Sequence, residues 1–176
     1  MDKLGTIVEE IRAEYEAKSA VRDKALRRSR TLIRYCANGI RAAHRGDWTE
    51  AQELLATAKE AAGELVAPLD RYPDLYHAGY TQDALKEYVE AQVVYAFIRD
   101  GELPTPGELG VAPPAYLKGL AEAASEMRRH SLDLMRQNRL ERAEHMLGIM
   151  DEVYSQSVSY THLTLPTRSC QCRSRW

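Results

Sequence analysis

The stretch Glu87 to Ile98 reads EYVEAQVVYAFI, and only Glu87, Glu90 and Gln92 in it are polar. Its apolar side chains fall all round a helical wheel rather than along one stripe. A helix made from them has no face suited to water and must be enclosed by other helices. Glutamate is almost never fully buried unless it is paired or bound to a cation, because an unpaired buried charge is very costly. This segment therefore demands a surrounding bundle and a reason for its two acids.

The rest of the chain supplies the bundle. Between Thr6 and Asn38 there is no Gly or Pro, and Leu26, Ile33, Ala37 and Ile40 recur at helical spacing, so one long helix ending near Arg45-Gly46 is expected. Asp47-Trp48-Thr49-Glu50 has the pattern of a capping box that opens a second helix, running to about Pro68. A break at Tyr72-Pro73 precedes a third helix over roughly Tyr80 to Arg99. Thr105, Pro106 and Glu108 form a short helix start, Pro113-Pro114 opens a long helix to about Gln137, and Arg139 to about Ser157 makes the last. No β-alternating run bounded by turn signals and no internal repeat occurs. The fold class is all-α, a bundle of long antiparallel helices.

With 176 residues the chain fits one domain. No apolar run approaches the ~18 residues that span a bilayer, so no membrane partner is expected. Met1 to Gly5 is too polar for a signal peptide, and Cys36 is alone in the body of the chain, which points to a reducing cytoplasm. Val158 to Thr167, VSYTHLTLPT, resembles a translated sequencing adapter, and the basic string after it holds Cys170 and Cys172 without the further ligands of a zinc site. Residues 1–157 are thus expected to form the helical domain. Residues 158–176 are expected to be a non-native, disordered tail that replaces the protein's own last segment.

The acids come in two pairs. Glu87 and Glu90, at i and i+3, lie about 60° apart on a helix. On the next long helix Glu122 and Glu126, at i and i+4, lie about 40° apart among Gly119, Leu120, Ala121, Ala123 and Ala124. Small neighbours let helices approach, so two such helices face to face would gather four carboxylates. Four like charges at close range need a divalent cation or buried bases. Hard oxygen donors without Cys or His favour Mg²⁺ or Mn²⁺. A di-iron site would need Glu-x-x-His, whereas Glu87 is followed at i+3 by Glu90 and Glu126 by Arg129. The bland alternative pairs these glutamates with Lys86, Lys118, Arg128 or Arg129.

The net charge of -2 conceals an asymmetry. Lys18 to Arg45 carries nine Lys or Arg against one acid, and Asp47 to Glu64 carries five acids against one Lys. Within the basic segment Arg27, Arg30, Arg34, Arg41 and Arg45 fall in an arc of about 60°. Such a line of guanidiniums suits the phosphates of a nucleic acid, although a solvated face or pairing with the acidic helix would also account for it.

These segments resemble the translin family. Gln82 to Ala91 looks like the Glu-Tyr-Val-Glu-Ala signature of its nuclease-type branch, translin-associated factor X, and Tyr116 to Glu126 looks like that branch's Tyr-Leu-x-Gly-Leu-Ala-Asp-x-x-x-Glu helix. Arg22 to Gly46 and the Tyr72-to-Tyr76 turn are similar to prokaryotic members, so the resemblance spans Met1 to about Ser155. It implies a metal-dependent endoribonuclease that cleaves RNA, single strands being the expected form, within a closed shell of identical chains. Carried over by position, the catalytic and metal-binding residues are Glu87, Glu90, Glu122 and Glu126, with Mg²⁺ or Mn²⁺ as cofactor. Glu122 stands where the eukaryotic pattern has Asp. The alternative is a non-catalytic assembly protein that binds RNA or single-stranded DNA, as the family's other branch lacks the first pair of glutamates.

Overall fold

The computed structural model of the protein describes residues 2–164, and the surroundings of side chains from Lys3 to Gln156. The chain forms α1 (Asp2–Arg45), α2 (Trp48–Val66), a 3-10 turn at Ala67–Leu69, α3 (Pro73–Tyr76), α4 (Gly79–Arg99), α5 (Pro106–Leu109), α6 (Pro113–Arg136) and α7 (Leu140–Thr164). Among the described residues there is no strand. The all-α bundle read from the sequence is the observed fold.

Gly46 ends α1 at φ +75, a conformation that glycine adopts without strain. Asp47 then caps α2, its Oδ1 accepting the Glu50 N–H at 3.2 Å. The expected reciprocal bond is replaced, because the Glu50 carboxylate accepts from Arg45 Nη2 at 2.5 Å. The complete capping box lies at α5, where Thr105 and Glu108 satisfy each other's backbone N–H groups. The segment at Pro73, expected as a break, closes into the single turn of α3.

Helix α4 lies at the centre, packed against α1 on one side and α6 on the other, while α2 lies on α1 and α7 on α6. Thr81, Leu85, Tyr88, Val89, Val93 and Val94 are all buried, as a helix without a polar face requires. The line of α1 that is buried is Ala25, Ser29, Leu32, Cys36, Gly39 and Ala43. Leu26, Ile33, Ala37 and Ile40 form its half-buried flank instead. Apart from Leu32, the inner line is made of small side chains, which let α2 pack close: a Cβ on Gly39 would meet Leu55 Cδ2 at 3.2 Å. Part of the charge asymmetry is internal to this pair of helices. Arg28 donates to the Glu64 carbonyl at 2.6 Å and pairs with its carboxylate at 3.3 Å, and Arg45 holds Glu50.

The apolar face of α1 continues beyond the bundle. Every residue from Lys3 to Ala17 is exposed, including Leu4, Ile7, Val8, Ile11 and Tyr15 on one side of the helix. At the other end of the chain α7 remains helical past Ser157, through Thr164. Residues 165–176, which include Pro166, Cys170 and Cys172, lie outside the described residues.

Among the described glycines, Gly119 lies closest to a neighbouring helix. A Cβ there would meet the Lys86 carbonyl oxygen and Val89 Cβ, each at 2.6 Å, and a backbone atom cannot rotate away. Against a backbone atom the overpacking cost falls in the upper part of its range, about 2–3 kcal/mol, and exceeds the gain of roughly 0.8–1.0 kcal/mol in helix propensity on replacing Gly, leaving a net loss of about 1–2 kcal/mol. Gly119→Ala is therefore expected to lower the melting temperature by about 2–8 °C, measured by circular dichroism; an unchanged or higher melting temperature would contradict this packing.

Candidate metal centre

Gly119 brings α6 against α4 one turn before Glu122, so Glu122 meets the pair Glu87 and Glu90. One carboxylate oxygen from each of the three lies within 4.8 Å of the others. All three residues are of intermediate burial. Lys86 enters the same cluster, with Nζ 2.7 Å from Glu122 Oε2, 2.9 Å from Glu122 Oε1 and 3.2 Å from Glu87 Oε1. Burial opposes the Lys86 charge, but its bonds to Glu122 and Glu87 outweigh that and leave its pKa raised.

Glu90 has no such partner among the described residues. Burial first, then the charges of Glu87, Glu122 and Glu126, push its carboxyl up to about 7. Three carboxylates thus share one ammonium, and the deficit of positive charge falls on Glu90. A cation accepted by oxygen ligands would relieve it, and the cluster offers such ligands from three residues.

Glu126 is placed differently from the sequence expectation of four equivalent acids. It is near enough to act on Glu90, yet its Oε1 is taken by His44 Nε2 at 2.8 Å and by Arg129 Nη1 at 3.5 Å. The cluster of mutually close carboxylates is Glu87, Glu90 and Glu122. His44 is the residue that sequence reasoning missed. Its side chain is only 7% exposed, and its ring lies 5.5 Å from that of His130. The signal was available, since His44 continues the line Ile33, Ala37, Ile40 by one further turn. His130 has its pKa lowered by burial, with His44 and Arg142 adding to the effect. Cys36 behind the cluster is pushed up to about 12 by burial, then by Glu87 and Glu90, so its thiol is an inert core group.

Arg27, Arg30, Arg34, Arg41 and Arg45 are all exposed. Arg41 donates to Asn38 Oδ1 at 2.5 Å, Arg45 to Glu50, and Arg34 lies 5.7 Å over the Tyr35 ring. By helical geometry they stand about 120–180° round α1 from Cys36, the side on which Glu87 and Glu90 act. Within one chain the stripe and the carboxylates are not on the same surface. Nearer the carboxylates, the exposed residues Lys118, Arg129 and Arg136 share an arc of about 20° on α6, beside Glu122.

No family model matches the sequence. An uncharacterized protein of Methanocaldococcus jannaschii is 30% identical over 162 residues, which are 90% of this chain and 72% of that protein. The crystal structure of AfC3PO is also 30% identical and superposes with a TM-score of 0.80 over 88% of this chain and 80% of its own. The chain belongs to the translin family of C3PO proteins. A structure of AfC3PO in complex with duplex RNA gives the same TM-score over 90% and 81%. Apo-NeC3PO, at 20% identity and a TM-score of 0.66 over 86% of this chain and 96% of that one, shares the fold.

The Glu90 carboxyl is raised from an ordinary 4.5 to about 7 in the folded protein. A raised folded pKa contributes stability that is complete below the ordinary value and lost as pH rises through about 7. Allowing for its solvent access, that loss is about 1–2 kcal/mol. Without divalent cations, Glu90→Gln should melt about 2–8 °C above the wild type at pH 8, with the gap closing at pH 5. Thermal melts at the two pH values test this, and an equal gap at both would contradict it.

Proposed function

We propose that this chain is a catalytic C3PO subunit, a divalent-metal-dependent ribonuclease acting in the cytoplasm. The observation that carries the reading is the carboxylate cluster of Glu87, Glu90 and Glu122, in which Glu90 lacks an ion-pair partner among the described residues and is held near neutrality. These three would hold Mg²⁺ or Mn²⁺, with Glu126 as the neighbouring fourth acid. When bound, the ion supplies Lewis acidity toward water and toward the scissile phosphate. The chain's own contribution is to gather hard oxygen donors on two helices that Gly119 locks together, and to keep Lys86 beside them. The substrate class is RNA, which the solved complex of the related AfC3PO contains. Its phosphates would be held by basic side chains, either the α1 stripe or the α6 line of Lys118, Arg129 and Arg136 that flanks the carboxylates. A closed shell of identical chains would cover the apolar side of α1 that projects beyond the bundle.

Lys86 supports a second reading. Its pairs with Glu87 and Glu122 offset part of the negative charge without any metal, as in a purely RNA-binding assembly protein. Cleavage of an end-labelled RNA oligonucleotide with Mg²⁺ or Mn²⁺, against a chelator control, separates the two. Glu87→Gln is expected to reduce cleavage more than about 100-fold, beyond the usual effect of outer residues of a metal site, while RNA binding persists. Unchanged cleavage would leave the binding reading.

The two basic lines are separated by salt dependence. Arg34→Ala or Arg129→Ala should lower the slope of log affinity against log salt by about 0.7–0.9 for each phosphate that is no longer neutralised. Filter binding at several salt concentrations measures it. An unaltered slope removes that arginine from the substrate path.

A further inference from the structure

We propose that His44 is the positioning residue that makes Glu126 the fourth carboxylate of the metal centre. The inference rests on the metal-dependent reading above. His44 and Glu126 are 82 residues apart, on α1 and α6, and meet through a 2.8 Å bond. A carboxylate offers only acceptors, so the donor is His44 Nε2–H and the remaining ring nitrogen is Nδ1. That Nδ1 is buried and has no hydrogen-bond partner among the described residues. The hydrogen bonding of the ring is therefore directed at one atom, Glu126 Oε1.

The geometry distinguishes His44 from Arg129, which also approaches Oε1. Arg129 is 62% exposed and 3.5 Å away, a contact that solvent screens and side-chain freedom loosens. His44 is held by packing within the last turn of α1 and beside His130. Both contacts fall on Oε1, so neither consumes Oε2. An acid fixed through one oxygen keeps the second for a cation, which is the usual division of labour between a ligand and the residue that orients it. Without His44, Glu126 would be oriented only by the exposed Arg129.

The test measures Mn²⁺ binding to the full chain by electron paramagnetic resonance of the free ion, alongside kcat and KM for RNA cleavage. His44→Leu removes the donor, whereas His44→Gln places an amide N–H near the original Nε2. His44→Leu is expected to weaken Mn²⁺ binding about 10–100-fold and to lower kcat with KM for RNA unchanged, and His44→Gln to recover most of both. The double variant His44→Leu, Glu126→Gln should bind Mn²⁺ no more weakly than Glu126→Gln alone, since both act through one contact. If His44→Leu does not fold by circular dichroism, His44→Asn, whose amide reaches only the Nδ1 position, takes its place. Wild-type Mn²⁺ affinity in a folded donor-less variant, or additive losses in the double variant, overturns the assignment of His44 alone. A wild-type protein that binds no Mn²⁺ overturns the metal reading as well.

Discussion

The contact of Gly119 with the backbone of α4 governs the rest of the structure. Only a residue without Cβ allows the Lys86 carbonyl and Val89 to lie where they do. That approach has two consequences. It closes the apolar surface of α4, whose Val89 and Val93 would otherwise face water, and it brings Glu122 within reach of Glu87 and Glu90. Packing and chemistry therefore depend on one close contact, and a bundle with wider helix spacing would keep its core residues while dispersing its acids.

The electrostatics at that contact are unbalanced. Lys86 bridges Glu87 and Glu122, which is the arrangement expected of a structural ion pair. Glu90 is left between like charges in a half-dry environment, and its raised pKa records the burial first and then the repulsion. A protein stabilised only by pairing would gain from an apolar or amide residue there, because replacing an uncompensated buried charge by a neutral group commonly stabilises. Retaining the acid has a use where a cation is to be bound, and strongly perturbed groups cluster at functional sites for this reason.

His44 and Glu126 extend the same logic outward. The last turn of a helix favours a histidine, since the negative end of its dipole and its free carbonyls suit a donor side chain. Here the tertiary fold uses that position to reach across to α6. The outer line of Lys118, Arg129 and Arg136 then lies on the solvent side of the carboxylates, so bases and acids are graded from the surface inward.

How much of this was legible in the sequence follows from the range of each interaction. Helix ends at Gly46, Thr105 and Pro113 were readable, since capping and φ preferences act within a few residues. The burial of α4 was readable because an apolar surface all round a helix has one solution. The two glutamate pairs were visible as an anomaly for the same reason. The apolar spacing of Leu26, Ile33, Ala37 and Ile40 marked α1 as a helix, but those residues are only half-buried, and the fully buried line of Ala25, Ser29, Leu32, Cys36, Gly39 and Ala43 lies beside them. Glu50 turning to Arg45, Glu126 held apart by His44, and Lys86 joining the acids are contacts between separate elements. Sequence alone determined the elements and the residues available for chemistry. Only the tertiary structure decided which of them meet, because distances across helices depend on how closely backbones can approach, and here that is set by Gly119.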